Sequence, residues 1–137
     1  MKRVRAAGII PYENGFMLMH RIKNVNGKEF EYYTIPGGGK EINETNEKCC
    51  IREIKEELGV EVEILKEVFS FEREGMLEYF YLCKYISGKF GTGDGPEFTE
   101  SEEYKESGIY TPKIVKKEEI KNINLLPKEI REIIMKI

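Results

Sequence analysis

Apolar and polar positions alternate, or gather into short apolar runs, through the first third of the chain: RVRAAGIIPY, then FMLMHRI, then FEYYTIP. Runs of this length, bounded by turn residues, predict strands. Asn14-Gly15 and Asn26-Gly27 are the strongest hairpin signals, so the first three strands are expected to join through tight turns. The period then changes. Between Thr45, a good N-cap, and Gly59, a residue able to supply a left-handed stop, Cys50, Ile51, Ile54 and Leu58 recur at helical spacing. That spacing predicts a helix from about Asn46 to Leu58. More strand pattern follows in VEVEILKEVFSFE, LEYFYLCKYISGKF and SGIYTPKIV, the last two separated by GTGDGPEFTESEEYKES, a Gly-rich acidic connection that reads as a loop. At the end, Ile130, Ile133, Ile134 and Ile137 repeat at i, i+3, i+4, i+7 behind Pro127, a second helix with a core-facing stripe. Strands, helix, strands, helix make an α+β fold with a mixed sheet covered by helices.

Composition narrows the class. A chain of 137 residues supports one domain with a real core, so residues 1–137 read as a single domain. With 34% charged and 40% hydrophobic residues the balance is that of a globular protein, and no run approaches the ~20 apolar residues of a membrane span. Pro11, Tyr12 and Glu13 interrupt the first apolar run before it could act as a signal peptide, which points to the cytoplasm. Cys49, Cys50 and Cys83 are odd in number and two are adjacent, a pattern for reduced core residues rather than disulfides or a metal site. The net charge of -3 argues against a stable nucleic-acid partner.

The helix carries the first chemistry. Glu53, Glu56 and Glu57 share one arc beside the apolar one, where like charges at helical spacing repel by about 0.2–0.5 kcal/mol per pair. A solvated acidic face, with Arg52 pairing to Glu56 at i, i+4, is one reading. The loop before the helix favours another: Gly37, Gly38 and Gly39 let backbone groups approach a ligand closely, and a hard cation such as Mg2+ takes carboxylates, phosphates and water. Such an ion would remove the repulsion.

From Gly38 to Val60 the sequence resembles a complete Nudix box. Gly38, Glu44, Arg52, Glu53, Ile54, Glu56, Glu57, Gly59 and Val60 fill its nine defined places over twenty-three residues, and YYTIPGGG resembles the approach to that box. Asn43 stands where Gly often precedes the box glutamate, and Asn tolerates the left-handed turn. The resemblance implies an α/β/α sandwich with the mixed sheet between helices, and metal-dependent hydrolysis of a nucleoside diphosphate linked to another group, with Mg2+ or Mn2+ as cofactor. By the same resemblance Glu53, Glu56 and Glu57, with the Gly37 carbonyl, would hold metal. Arg52 would orient Glu53, while Glu44 would brace the loop-helix junction and Gly59 would end the helix. A general base from a later loop is expected, with Glu97 ahead of Glu100, Glu102 and Glu103. The family's members are often dimers, so a homodimer is an expected partner state.

Outside the box, Arg21 is a candidate for gripping substrate phosphate, whereas His20 points to the other sheet face without catalytic duty. Tyr32 and Tyr33 alternate, one to stack on a base and one to pack inward, with Tyr33 and Gly38 as the substrate-binding candidates beside Arg21. The expected function is water attack on phosphorus in a nucleoside triphosphate or related small nucleotide. The alternatives are a silent nucleotide-binding module, which loss of box carboxylates would have favoured, and hydrolysis of RNA 5′ ends, which wants a basic groove.

Overall fold

Strand β1 (Arg3–Ile9) runs through the middle of a four-stranded mixed sheet in the order β5-β1-β7-β6, with β5 at Gly37–Gly39, β6 at Val60–Arg73 and β7 at Met76–Gly88. The computed structural model describes residues 3–93 and 108–137. β1 pairs parallel with β7 and antiparallel with β5, while β6 and β7 form a long hairpin. A second sheet joins β2 (Pro11–Tyr12), β3 (Gly15–Val25), β4 (Lys28–Thr34) and β9 (Leu125–Leu126), with β8 (Ile109–Lys116) on the free side of β3. The expected α+β sandwich is therefore present, and its strands divide into two sheets rather than one.

Helix α1 spans Asn46–Leu58, the span its caps predict. The Thr45 hydroxyl accepts from the Lys48 N–H at 3.1 Å, and Gly59 closes the helix at φ 79, donating to the Lys55 carbonyl. Cys49, Cys50, Ile54 and Leu58 bury completely against one face of the mixed sheet, together with Ala6, Val60 and Cys83. The other face of that sheet packs Ala7, Ile9 and Phe80 against Leu18 and Val115 of the second sheet and against α2 (Glu129–Met135). Ile130 and Ile134 of α2 are fully buried and Ile133 and Ile137 flank them, as the terminal stripe predicts. Strand alternation sends neighbours Ala6 and Ala7 into different cores.

The three cysteines are buried free thiols. Asn26-Gly27 forms the expected turn, both residues at positive φ (53 and 81). The first hairpin differs: its turn is Glu13-Asn14, with Glu13 at φ 52, because Gly15 already pairs with Tyr12 and, on its other side, with Lys116. A third strand alongside decided that register, which a dipeptide signal does not contain. Among the described residues no helix is long and apolar enough to cross a membrane.

Candidate active site

Arg52 is the hub of the box. Its Nη2 and Nε donate to both oxygens of Glu44 at 2.8 and 3.1 Å, its Nη1 donates to Glu53 at 3.0 Å and to Glu56 at 3.2 Å, and Nη2 also reaches the Gly39 carbonyl at 3.0 Å. One guanidinium thus ties the loop before α1 to two carboxylates on α1. The fork geometry of Arg suits this and a lysine could not reproduce it. Glu44, then Glu53 and Glu56, raise the Arg52 pKa above its ordinary value, and the same hydrogen bonds lower Glu44 to about 2. Glu44 also accepts from the Glu41 N–H at 2.8 Å. Asn43, at φ 69, turns the chain just before it, the left-handed conformation that Asn tolerates.

Glu57 takes a different place. It is the buried acidic residue of the helix, 6% exposed, and its Oε1 accepts from the Gly37 N–H at 3.1 Å. The Gly37 carbonyl accepts from Arg5 Nη2 at 3.3 Å. Gly38 lies under Glu53, so close that any Cβ there would run into the Glu53 carboxylate. The glycine turn is therefore the floor on which α1 sets its acids.

These groups face a cleft of about 530 Å³ that also receives Arg21, Tyr110 and Arg5. Arg21 pairs across the strands with Tyr32 on one side and Tyr110 on the other, and its guanidinium lies over both rings, 5.1 and 3.9 Å from their centroids. Its Nη2 also donates to the Tyr110 hydroxyl. Burial lowers the Arg21 pKa, and its buried Nε has no hydrogen-bond partner among the described residues. A cation held rigidly at a cleft wall with a donor to spare can grip an oxyanion.

Tyr33 is not brought to this cleft. It faces the opposite side of its sheet, 6% exposed in the apolar core, with the His20 ring 4.7 Å from its own. Tyr32 shares the sheet face of Arg21 and packs under its guanidinium, without itself lining the cleft. His20 stands 3.0 Å from Glu31, on the face away from the cleft. Glu97, Glu100, Glu102 and Glu103 lie outside the described residues. Arg3, Arg5 and Glu78 escaped sequence reasoning; the signal was present in an Arg-x-Arg alternation opening an otherwise apolar strand and in an acid inside MLEYFYL.

Among the described residues no three His, Cys, Asp or Glu side chains converge as a ready metal cage. Glu53 and Glu56 are turned onto Arg52, and Glu57 onto the glycine turn. The donor set is nevertheless all oxygen and lines one cleft, the chemistry a hard divalent ion requires, and Arg52 Nη1 already marks a point that Glu53 and Glu56 both reach. By donor type the residues fit Mg2+ or Mn2+.

The sequence model of the NUDIX domain matches residues 2–128. No curated protein sequence matches the chain. Among solved structures it is similar to a MutT studied in the fish pathogen Aliivibrio salmonicida and in Vibrio cholerae, with 19% identity, TM-score 0.72 and coverage of 99% of this chain and 98% of that one. An ADP-ribose pyrophosphatase from Streptococcus suis matches at 15% identity and TM-score 0.67, over 99% and 91% of the two chains. A UDP-X diphosphatase matches at 16% identity and TM-score 0.67, over 98% of this chain and 61% of that one. At these identities the likeness is one of fold.

Proposed function

The chain belongs to the NUDIX domain family, and from that premise we propose that it hydrolyses the pyrophosphate linkage of a nucleoside diphosphate joined to a further group, with Mg2+ or Mn2+ as cofactor. The observation that carries this is the Arg52 hub, which Glu44 anchors from behind and which gathers Glu53 and Glu56 beside Glu57 at one cleft. Glu53, Glu56, Glu57 and the Gly37 carbonyl would hold the ion. When bound, it supplies positive charge to phosphoryl oxygens and a more acidic water.

The chain's own residues do the positioning. Arg52 restricts the rotamers of Glu53 and Glu56, so that the carboxylates are placed before substrate arrives. Glu44 anchors Arg52 to the loop and never reaches the reacting phosphorus. Arg21, fixed between Tyr32 and Tyr110, donates to non-bridging phosphoryl oxygens from the opposite wall. Water oxygen forms the new bond to phosphorus, the anhydride P–O bond breaks, and the water proton passes to a carboxylate, with Glu53, Glu56 and Glu97 as the acceptors assigned. The leaving phosphate departs as an anion.

Three of the similar structures are called a MutT, an ADP-ribose pyrophosphatase and a UDP-X diphosphatase, which sets the panel to assay: nucleoside triphosphates, ADP-ribose and nucleotide sugars. Phosphate release is measured with Mg2+, Mn2+ or EDTA, coupled to pyrophosphatase and phosphatase. Metal-dependent turnover of one class supports the reading and names the substrate. Silence across the panel, with nucleotide binding still seen by calorimetry, overturns it in favour of a binding module.

A further inference from the structure

The register of the mixed sheet aligns charged residues at one end of the face that looks toward the second sheet. Arg3 pairs with Met76, which pairs with Arg73; Arg5 pairs with Glu78, which pairs with Phe71. These residues wall a chamber of about 420 Å³ that joins the carboxylate cleft through Arg3, Arg5, Thr34 and Ile35, lining residues of both. Its apolar side is Phe71, Phe80, Leu126 and Pro127.

Arg3 and Arg73 sit on strands flanking β7, about 10 Å apart at two strand spacings, so both guanidiniums can reach an anion placed above Met76. Arg5 approaches the same point from one pleat further along. Among the described residues the Arg3 guanidinium has no hydrogen bond or ion pair, and Arg73 has only its 3.4 Å contact with Glu129 and its stack on Phe71, whose ring centroid is 5.1 Å away. Glu78, the cross-strand neighbour of Arg5, is held back from ionising by burial, with Arg5 and Arg73 opposing. Three cations and two acids line the chamber; Glu74 stands on the exposed turn between β6 and β7 and Glu78 is reluctant to ionise, so the arginines remain in excess.

We propose that this chamber binds a second anionic group of the substrate, a phosphomonoester on the part remote from the scissile pyrophosphate, through Arg3, Arg5 and Arg73. The inference rests on the reading of the neighbouring cleft as the pyrophosphate site. Bidentate guanidinium contacts give such a group a strong, directional hold. The preferred substrates are then nucleotides phosphorylated twice at separate positions.

The test is calorimetric titration of the whole protein, in Mg2+ buffer, with 5′-AMP, adenosine 2′,5′-bisphosphate and adenosine 3′,5′-bisphosphate. At least one bisphosphate is expected to bind about tenfold or more tightly than 5′-AMP, the scale of a charge-assisted contact. The double variant Arg3→Met, Arg73→Met, both at solvent-reached positions, should bring that ratio close to one, and Arg3→Lys with Arg73→Lys should restore part of it. Equal affinities in the wild type, or a ratio unmoved by the double Met variant, overturn the proposal. Because binding needs no turnover, the result is separable from the hydrolase reading: metal-dependent hydrolysis with both bisphosphates binding no tighter than 5′-AMP sinks this inference alone, whereas a bisphosphate preference without hydrolysis sinks only the other.

Discussion

Replacing Glu44 by Gln removes one charge from the hub while keeping its shape, and the structure sets the size of the effect. Glu44 falls from its ordinary 4.5 to about 2, chiefly through its hydrogen bonds from Arg52. At about 1.36 kcal/mol per pH unit that is a ceiling of roughly 3 kcal/mol. The hub lies at the rim of the cleft, where water screens ion pairs, which lowers the expected loss to about 1–2 kcal/mol. Because the folded-state pKa is depressed, this stability is present above pH 4.5, fades as pH falls toward 2 and is gone below it. Urea unfolding of wild type and Glu44→Gln should therefore show the full gap at pH 7 and pH 5 and less than about half of it at pH 3. Glu44 acts through Arg52, so kcat should fall on the order of tenfold with KM nearly unchanged. A gap equal at pH 7 and pH 3 would refute the charge argument, and no gap at pH 7 would refute the hub.

Glu57→Gln should cut metal-dependent turnover more than about 100-fold while metal-free stability holds or rises, since a buried carboxylate is neutralised; a less stable yet fully active variant contradicts the ligand role. Arg21→Lys keeps the charge but loses the planar stack between Tyr32 and Tyr110, and steady-state kinetics should show KM rising about tenfold. An unchanged KM would remove Arg21 from the phosphate wall. Gly38→Ala drives a Cβ into the Glu53 carboxylate and should lower kcat on the order of 100-fold with little change in Tm, measured by parallel kinetics and thermal melts. Wild-type turnover would show that the glycine turn yields easily.

Local signals carried far here because helix ends and turns are decided within a few residues. Thr45 and Gly59 delimit α1 correctly, and helical spacing alone puts Glu53, Glu56 and Glu57 together and pairs Arg52 with Glu56. Asn26-Gly27 makes its turn for the same reason. Alternation states that Tyr32 and Tyr33 face opposite ways, yet only the packed sheet says which one shares the face of Arg21, since either pleat could have been the buried one. Tyr33 lies in the core and Tyr32 beside Arg21. The displaced first turn and the Arg3, Arg5, Glu78 and Arg73 chamber share one cause: they depend on register between strands far apart in the chain. The fold class, the helix and the grouping of its carboxylates follow from neighbours a few residues away, so they can be read along the chain. Which side chains from distant strands face those carboxylates was decided by tertiary packing, because a one-residue slip in pairing would have turned every one of them to the other face.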